Sequence, residues 1–171
     1  MLRFGIILML VCLVASSILA ITYKITYPKI VSQKYIEEKG ALKTVFSDAD
    51  EFKKTEDYYT AYKNKLACGY ILKIYTRGYS SSPIEILVGF DTKGTIEGLV
   101  VLAQSETPGL GARITEIKSG EKDAWFLTQF KNKIAQKLDY NKINAISGAT
   151  ITSRAVTEAV KTEVKKFLDK K

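Results

Sequence analysis

The sequence predicts an α+β fold, in which a single N-terminal transmembrane helix precedes one compact domain with an antiparallel sheet and flanking helices. Three observations support this prediction. The chain opens with an apolar stretch that has no charged side chain from Phe4 to Tyr23. Apolar and polar residues then alternate between residues 65 and 104, as they do in half-buried strands. The end of the chain shows helical spacing instead, so strands and helices are segregated along the sequence.

The composition excludes several kinds of chemistry. The chain has 171 residues, which suits one small domain, with no histidine and 2 cysteines. Without histidine it cannot build a Ser-His-Asp triad, a Cys-His pair or a His-ligated zinc or haem site. Two cysteines cannot supply a thiolate iron–sulfur site. Hard redox chemistry would therefore have to come from an organic cofactor. We also expect no metal site and no catalytic side chain.

The apolar stretch has the length of a membrane-spanning helix. About 20 apolar residues wound as an α-helix match the hydrocarbon core of a bilayer. Tyr23 and Tyr27 follow it, where aromatic rings favour the membrane interface. The alternative is a cleaved signal peptide, but the nearest small-residue pattern, Ala15-Ser16-Ser17, lies inside the apolar stretch. The sequence therefore favours an uncleaved anchor over residues 1–27.

The positive charge of the chain does not indicate a nucleic-acid partner. The formal net charge is +8, but the lysines are spread along the chain. A modest cluster near the end is typical of a solvated helix face, although attraction of an anionic ligand or acidic partner stays open. This cluster comprises Lys161, Lys165, Lys166, Lys170 and Lys171.

The charge pattern does not decide the orientation of the chain in the membrane. Lysines after the membrane stretch would keep the domain in the cytoplasm, yet large domains translocate largely regardless of such charges.

A helix and a polar segment are expected after the anchor. Apolar residues recur with near-helical spacing from Pro28 to about Val45. Residues 47–58 are acidic and polar, which indicates a loop or a short irregular helix. We expect residues 28–64 to form this helical stalk and loop.

The antiparallel sheet is predicted from two-residue periodicity. Lys65 to Tyr75 and Ile84 to Phe90 have the pattern of strands. Asp91 to Gly94 then turns the chain, since Gly94 suits a positive φ, and Thr95 to Gln104 returns as the hairpin partner. One face of each strand is expected to be apolar, formed by Tyr70, Leu72 and Ile74, by Ile84, Ile86, Val88 and Phe90, and by Ile96, Val100 and Leu102.

Two helices complete the domain, which we expect to span residues 65–171. Asp123 is a candidate N-cap for a helix through Trp125, Phe126 and Phe130. Thr152 or Ser153 can cap the final helix. The apolar stripe of that final helix comprises Ala155, Val156, Ala159, Val160, Val164, Phe167 and Leu168.

Two short segments have residue types that an ordinary core or surface position does not require. The first is Glu106–Gly111, directly after the hairpin. Pro108 fixes one φ angle, and the two glycines permit close approach or left-handed geometry. Leu110 would thereby be held out on a rigid turn. Taken alone, however, the pattern is more typical of a tight loop than of a nucleotide site.

Ser147–Ser153, immediately before the final helix, is the second such segment. Small residues and hydroxyls crowd a helix start, where unpaired N–H groups and the helix dipole favour an anion. Helix capping accounts for most of the hydroxyls. It does not account for Gly148 and Ala149, which leave room for a bulky group against the backbone.

Ser147–Thr150 resembles the flavinylation motif of an FMN-binding domain. That domain is shared by the G subunit of the Rnf ferredoxin:NAD oxidoreductase and the C subunit of the sodium-translocating NADH:quinone reductase. The resemblance covers nearly the whole chain, including the N-terminal span, and the short length favours the Rnf G subunit. Its segments are Gly78-Tyr79, Asp91–Gly94, Glu106–Gly111, Gln129-Phe130 and Ile146–Ser153.

The resemblance implies a covalent FMN. In the family, the terminal threonine of the motif, which matches Thr150 here, carries FMN through a phosphoester that a separate flavin transferase makes from FAD. The loop that contains Leu110 would lie beside the isoalloxazine ring, with Leu110 packed on the ring. The implied cofactor-binding residues are Thr150, Ser147, Gly148, Ala149, Thr152, Glu106, Thr107, Gly109, Leu110 and Gly111.

The resemblance also implies a function and a location. The chain would be the electron-carrier subunit of a membrane redox-driven ion pump, relaying electrons through FMN to and from other membrane subunits. It would be one component of a translocase rather than a complete enzyme, single-pass in the inner (cytoplasmic) membrane, with an extracytoplasmic domain. Two alternatives stay open. One is the flavin subunit of a sodium-translocating quinone reductase or another FMN-binding membrane regulator, and the other is a cofactor-free anchored interaction module.

Overall fold

The computed structural model of the protein describes residues 2–171. The helices are α1 (Leu2–Val45), α2 (Trp125–Thr128) and α3 (Thr150–Lys170). The strands are β1 (Glu51–Lys54), β2 (Tyr58–Lys63), β3 (Leu66–Thr76), β4 (Ile84–Asp91) and β5 (Ile96–Ala103). Short 3-10 turns cover Gly111–Thr115, Ala135–Lys137 and Tyr140–Lys142. One antiparallel sheet with helices before and after it confirms the α+β class.

The N-terminal helix is one continuous element. α1 passes through Pro28 without ending, so the expected anchor and the expected second helix belong to the same helix. Proline removes one backbone hydrogen bond from a helix interior but does not interrupt this helix. The first part of α1 exposes large apolar side chains such as Phe4 and Leu19. Among residues 2–171, α1 is the one helix long and apolar enough to cross a membrane.

The chain divides into two compact units, and strands form where the sequence indicates a stalk and loop. One unit ends at Lys39, and the other is Gly40–Lys171. The expected loop or irregular helix over residues 47–58 is wrong, because this region contains β1 and the start of β2. β1 is an edge strand with mostly exposed, charged residues. Charge on an edge strand protects it from pairing with other chains, but it hides the two-residue apolar period.

The sheet has five strands in the order β1-β2-β3-β4-β5, all antiparallel to their neighbours. The strands predicted over residues 65–75, 84–90 and 95–104 are confirmed as β3, β4 and β5. The turn between β4 and β5 is also confirmed. The Gly94 N–H donates to the Asp91 carbonyl oxygen at 3.1 Å, and Gly94 has a φ of 84°.

One face of the sheet packs against α3 and the segment before it, and we call this layer the helix-face core. The expected apolar faces of β3 and β4 lie in it, together with most of the predicted stripe of α3. Its fully buried members include Ile84, Ile86, Val88, Phe90, Ile114, Phe126, Phe130, Val156, Val160 and Val164. This layer fixes α3, and therefore the residues at its start, against the sheet.

β5 departs from the expected face pattern. Ile96 packs in the helix-face core, but Val100 and Leu102 pack against the other side of the sheet. β5 has one residue more than β4 at Glu97, and this bulge reverses the alternation of side chains. The predicted shared face of these three residues is therefore wrong, and Leu99 takes the position in the helix-face core.

The other side of the sheet receives the end of α1 through three glycines on adjacent strands. A Cβ at Gly98 would lie 2.7 Å from the Val45 carbonyl oxygen, and a Cβ at Gly89 would lie 2.5 Å from Val45 Cγ1. A Cβ at Gly69 would lie 2.6 Å from a ring carbon of Phe46. The glycines thus leave a groove across the sheet in which Val45 and Phe46 are buried.

The expected helix caps are wrong. α2 begins after Ala124 with no side-chain cap, so Asp123 does not cap it, and it ends at Thr128 rather than continuing through Phe130. α3 begins after Ala149, also without a side-chain hydrogen bond at the cap. Thr152 and Ser153 lie inside the first turn of α3 and are buried. Their hydroxyls form other contacts, which build the site described next.

Candidate functional site

One cavity is lined by residues from two sequence segments: Glu106–Gly111, which we call the first motif, and Ser147–Ser153, which we call the second motif. Its volume is about 570 Å³, which is within the range typical of small-molecule sites. It lies between the segment after β5 and the start of α3, which are far apart in the sequence. Its lining residues are Tyr79, Glu106, Thr107, Leu110, Gly111, Gly148, Ala149, Thr150, Ile151 and Thr152.

A buried carboxylate organises this cavity. The Glu106 side chain is 5% exposed, and its oxygens accept hydrogen bonds from the backbone N–H groups of Tyr79 at 3.1 Å and Ser80 at 3.0 Å. The Thr152 hydroxyl donates a third hydrogen bond at 2.7 Å. These donors replace the water that a buried carboxylate loses. Glu106 therefore ties together the segment after β3, the segment after β5 and the first turn of α3.

Two glycines make room for this carboxylate. A Cβ at Gly78 would lie 2.6 Å from Glu106 Oε1, and a Cβ at Gly111 would overlap Glu106 Oε2. Gly109 has a different role, since its φ of 77° is in the left-handed region that the turn requires. The glycines of the first motif thus shape the loop and admit Glu106.

Hydrogen bonds of Ser153 and Gln129 hold the second motif and the residues before it in place. The Ser153 hydroxyl accepts a hydrogen bond from the Ile146 N–H at 3.0 Å and donates one to the Ala149 carbonyl oxygen at 3.0 Å. Gln129 fixes Asn144, which precedes the motif: the Gln129 Oε1 accepts a hydrogen bond from the Asn144 N–H at 2.8 Å, and the Gln129 Nε2 donates one to the Asn144 carbonyl oxygen at 3.1 Å. The loop before α3 is therefore clamped at both ends.

Of the three threonines that line the cavity, Thr150 is the one that is exposed at the start of a helix. Thr152 is buried and donates its hydrogen bond to Glu106. Thr107 and Thr150 are both exposed, but Thr150 is the first residue of α3. The first N–H groups of a helix lack partners within the helix, and the helix dipole is positive there. An anionic group attached at Thr150 would be stabilised by this environment.

Exposed apolar side chains border the same cavity. Leu110 is 44% exposed, Ile151 is 59% exposed and Tyr79 is 75% exposed. Gly148 has a φ of 75°, and a Cβ there would lie 2.9 Å from Leu110 Cδ2, so the motif backbone approaches Leu110 closely. Large apolar side chains left exposed around a cavity are typical of a ligand site.

The structure brings the sequence-predicted site residues to this cavity, with two exceptions. Ser147 is exposed but does not line the cavity, and Gly109 shapes the neighbouring turn. Sequence reasoning missed Tyr79 and Ile151 as lining residues. The available signal for Tyr79 was its place beside Gly78 in the family resemblance, and that for Ile151 was a large apolar residue next to Thr150 at a helix start.

The segment that follows the first motif is fixed by Glu116. Its carboxylate accepts hydrogen bonds from the Trp125 indole N–H at 3.0 Å and from Arg113 Nε at 2.9 Å. The indole hydrogen bond first, and then the Arg113 guanidinium, hold the pKa of Glu116 below its usual range. These contacts connect the turn after the cavity loop to α2.

Two family models match the chain. The model described as the FMN-binding domain matches residues 78–165, and the model described as the RnfG N-terminal region matches residues 1–45. The first match covers both motifs and every residue that lines the cavity.

Similar proteins include the G subunits of several membrane complexes. That of the proton-translocating ferredoxin:NAD(+) oxidoreductase complex of Clostridium ljungdahlii is 34% identical, over 92% of this chain and 86% of that protein. That of the Na(+)-translocating ferredoxin:NAD(+) oxidoreductase complex of Acetobacterium woodii is 28% identical, over 96% and 90%. That of the ion-translocating oxidoreductase complex of Shewanella oneidensis is 29% identical, over 96% and 88%. The chain therefore belongs to the FMN-binding domain family and, within it, to the G subunits of Rnf ion-translocating oxidoreductase complexes.

Proposed function

We propose that this chain is the electron-carrier subunit of a membrane redox-driven ion pump of the Rnf type, and that it carries FMN as a phosphoester on Thr150. The observation that carries the proposal is that Thr150, the last residue of the Ser147–Thr150 motif, is exposed and lines the cavity. The relatives named as G subunits of ferredoxin:NAD(+) oxidoreductase complexes support the kind of complex.

The residues around the cavity fit an FMN group. Leu110 and Ile151 offer exposed apolar surface for a flat ring. Gly148 has no side chain where the motif backbone faces the cavity, and a volume of about 570 Å³ is ample for a cofactor. The Thr150 hydroxyl lies at the start of α3, where free N–H groups favour a phosphate.

The phosphoester would be made by a flavin transferase with FAD as the donor. Thr150 Oγ1 attacks the flavin-side phosphorus of the FAD pyrophosphate, and a bond forms between that oxygen and phosphorus. The phosphorus–oxygen bond to the adenosine side breaks, AMP leaves, and the hydroxyl proton passes to a base of the transferase. No oxidant or reductant is consumed. The exposure of Thr150 supports this reaction, because a second protein must reach the hydroxyl.

The chain's own residues would position the FMN and cover part of its ring. FMN, when bound, accepts and passes on one or two electrons. Leu110 covers apolar surface of the ring, and Glu106 keeps the surrounding segments in place through its three internal hydrogen bonds. No charged side chain lies between Phe4 and Tyr23, so an ion path requires the other membrane subunits of the complex.

We further propose that α1 makes the protein single-pass in the inner membrane with its domain on the extracytoplasmic side. A covalent bond prevents the loss of a cofactor that an extracytoplasmic domain could not readily replace. The apolar length of α1 supports the membrane location, and the orientation follows from the family resemblance.

The test separates Thr150 from the other hydroxyls of the cavity. The full chain is coexpressed with a competent flavin transferase, and covalent flavin is read by in-gel fluorescence and intact mass. Thr150→Val retains the side-chain shape but removes the atom that forms the bond, so we expect no FMN mass increment. Because an exposed hydroxyl at the start of a helix contributes about 1 kcal/mol or less, this variant should fold.

Two controls make the result specific. Thr107→Val removes the other exposed hydroxyl of the cavity, and Thr162→Val removes an exposed hydroxyl elsewhere on α3. Both variants should carry the FMN increment, as the wild type does. An increment that persists on Thr150→Val, or a wild type that never gains one with an active transferase, would contradict the proposal.

A further inference from the structure

Arg154 lies one helical turn beyond Thr150 on α3. Residues four apart on a helix are neighbours on its surface, with Cβ atoms about 5–6 Å apart. A second cavity, of about 480 Å³, lies against this part of α3. Its lining residues are Thr150, Ile151, Arg154, Ala155 and Glu158. Thr150 therefore borders two cavities, the one proposed for the flavin ring and one that Arg154 lines.

The guanidinium of Arg154 lies over an aromatic ring. Its central carbon is 4.9 Å from the ring centroid of Tyr140, a cation–π contact that restrains the side chain. Throughout residues 2–171, no carboxylate forms an ion pair with Arg154. Glu158 follows it by one turn and lines the same cavity, yet it too leaves the guanidinium unpaired. The cation is thus available to an anion that arrives beside Thr150.

A phosphoester on Thr150 would place such an anion there. Guanidinium and phosphate form paired N–H···O hydrogen bonds, because the two donors of the planar fork match two phosphate oxygens. The dipole at the start of α3 also attracts the phosphate, but it does not orient the phosphate as a guanidinium does. We propose that Arg154 binds the phosphate that links Thr150 to FMN and, during transfer, the flavin-side phosphate of FAD. This inference rests on the proposed phosphoester at Thr150.

In the transfer, Arg154 is a positioning residue. The bond changes are those given above: Thr150 Oγ1 bonds to phosphorus, the pyrophosphate bond breaks and AMP leaves. Arg154 holds the phosphate next to the attacking hydroxyl and offsets its charge. After the transfer, it keeps the phosphodiester in one orientation, which limits how the attached flavin can move.

The experiment measures how fast the full-length apoprotein in detergent gains FMN from FAD and purified flavin transferase, followed by intact mass. Arg154→Ala should lower the initial rate about tenfold or more, the effect of losing a hydrogen bond to a charged group. Arg154→Lys retains the charge but loses the fork, so its rate should lie between those of Arg154→Ala and the wild type. Lys165→Ala, which removes an exposed cation of α3 outside this cavity, should transfer at the wild-type rate.

A second readout does not depend on the rate of transfer. In loaded protein, the ³¹P chemical shift of the phosphodiester should differ between Arg154→Ala and the wild type and should be unchanged in Lys165→Ala. Tyr140→Leu, which removes the aromatic ring, should slow transfer less than Arg154→Ala does. Equal transfer rates and equal ³¹P shifts for Arg154→Ala and the wild type would overturn the inference while leaving the phosphoester intact. A wild type without FMN would instead contradict the proposed function.

Discussion

At the scale of single residues, Glu106 shows how a motif residue can shape a cavity while its carboxylate bonds to groups of the protein itself. The sequence makes it a candidate flavin contact, because it opens the Glu106–Gly111 segment. In the structure its carboxylate turns to internal donors and is 5% exposed. The residues that it ties together, including Tyr79 and Thr152, are the ones that line the cavity. Its contribution is therefore to the shape of the site.

The Thr152 hydroxyl should matter for stability through this carboxylate. Thr152→Val leaves the side-chain volume nearly unchanged but removes one of three donors to the buried Glu106. Hydrogen bonds to charged groups contribute about 1.5–3 kcal/mol, and we expect a loss of that size in urea unfolding of the full chain in detergent. The exposed Thr162→Val is the matched control and should stay within about 0.5 kcal/mol of the wild type. Equal stability of both variants would show that Glu106 does not need this donor.

Leu110 should affect the flavin more than the fold. Because its side chain is 44% exposed, Leu110→Ala should cost less than about 2 kcal/mol, below the range for buried leucines. If Leu110 packs on the ring, the same variant should shift the absorption spectrum or reduction potential of the bound flavin. Ile117→Ala, an exposed apolar residue outside the cavity, should leave both unchanged. A larger stability loss with an unaltered spectrum would identify Leu110 as an ordinary packing residue.

At the scale of elements, the end of α1 is an integral part of the domain. Val45 and Phe46 are buried on the sheet and contact three glycines of β3, β4 and β5. A helix that merely connected a membrane anchor to a domain would need no such groove. Because the glycines have no side chains, the backbone of α1 can approach the strands closely. The alternation of residues in the strands does not reveal this contact.

Gly98 is the sharpest test of this contact. A Cβ there would lie 2.7 Å from the backbone oxygen of Val45 and 3.1 Å from its Cα, and backbone atoms cannot move aside cheaply. Gly98→Ala should therefore destabilise the domain by about 1–3 kcal/mol, as overpacking does. Gly40→Ala, in α1 with no atom within 4 Å of the new Cβ, should instead be neutral or stabilising by up to about 1 kcal/mol. A tolerated Gly98→Ala in denaturant unfolding would mean that the end of α1 is loosely held.

At the scale of the whole molecule, the sequence predicts what periodicity and long apolar runs can encode. The membrane helix, the strands β3 to β5 and the apolar stripe of α3 follow from such patterns. The strand β1 is not visible, because its edge position favours charge over alternation. The reversed face of β5 depends on one extra residue at Glu97, and a two-residue period cannot anticipate it.

For the candidate site, too, the sequence predicts some features and not others. Its residue types and motifs are readable in the sequence, because small residues and hydroxyls at a helix start have few explanations. Its contacts are not, since Glu106 and Thr152 are separated by 45 intervening residues and meet only because α3 packs on the sheet. Likewise, the hydroxyls of Thr152 and Ser153 have the types expected of helix caps, but tertiary partners take them instead.

The orientation of the whole chain in the membrane is the remaining large-scale prediction. Lysines after the apolar stretch would by themselves favour a cytoplasmic domain, yet they do not control the translocation of a large folded domain. We expect the domain to be extracytoplasmic, so protease added to intact spheroplasts should cleave it. In a variant with Ser119→Cys, on an exposed loop, a membrane-impermeant thiol reagent should label intact spheroplasts to the same extent as permeabilised ones. The parent chain, whose Cys12 lies in the membrane helix and whose Cys68 is partly buried, is the background control. A domain that resists protease and labelling until the membrane is opened would lie in the cytoplasm, and flavin transfer would then have to occur there.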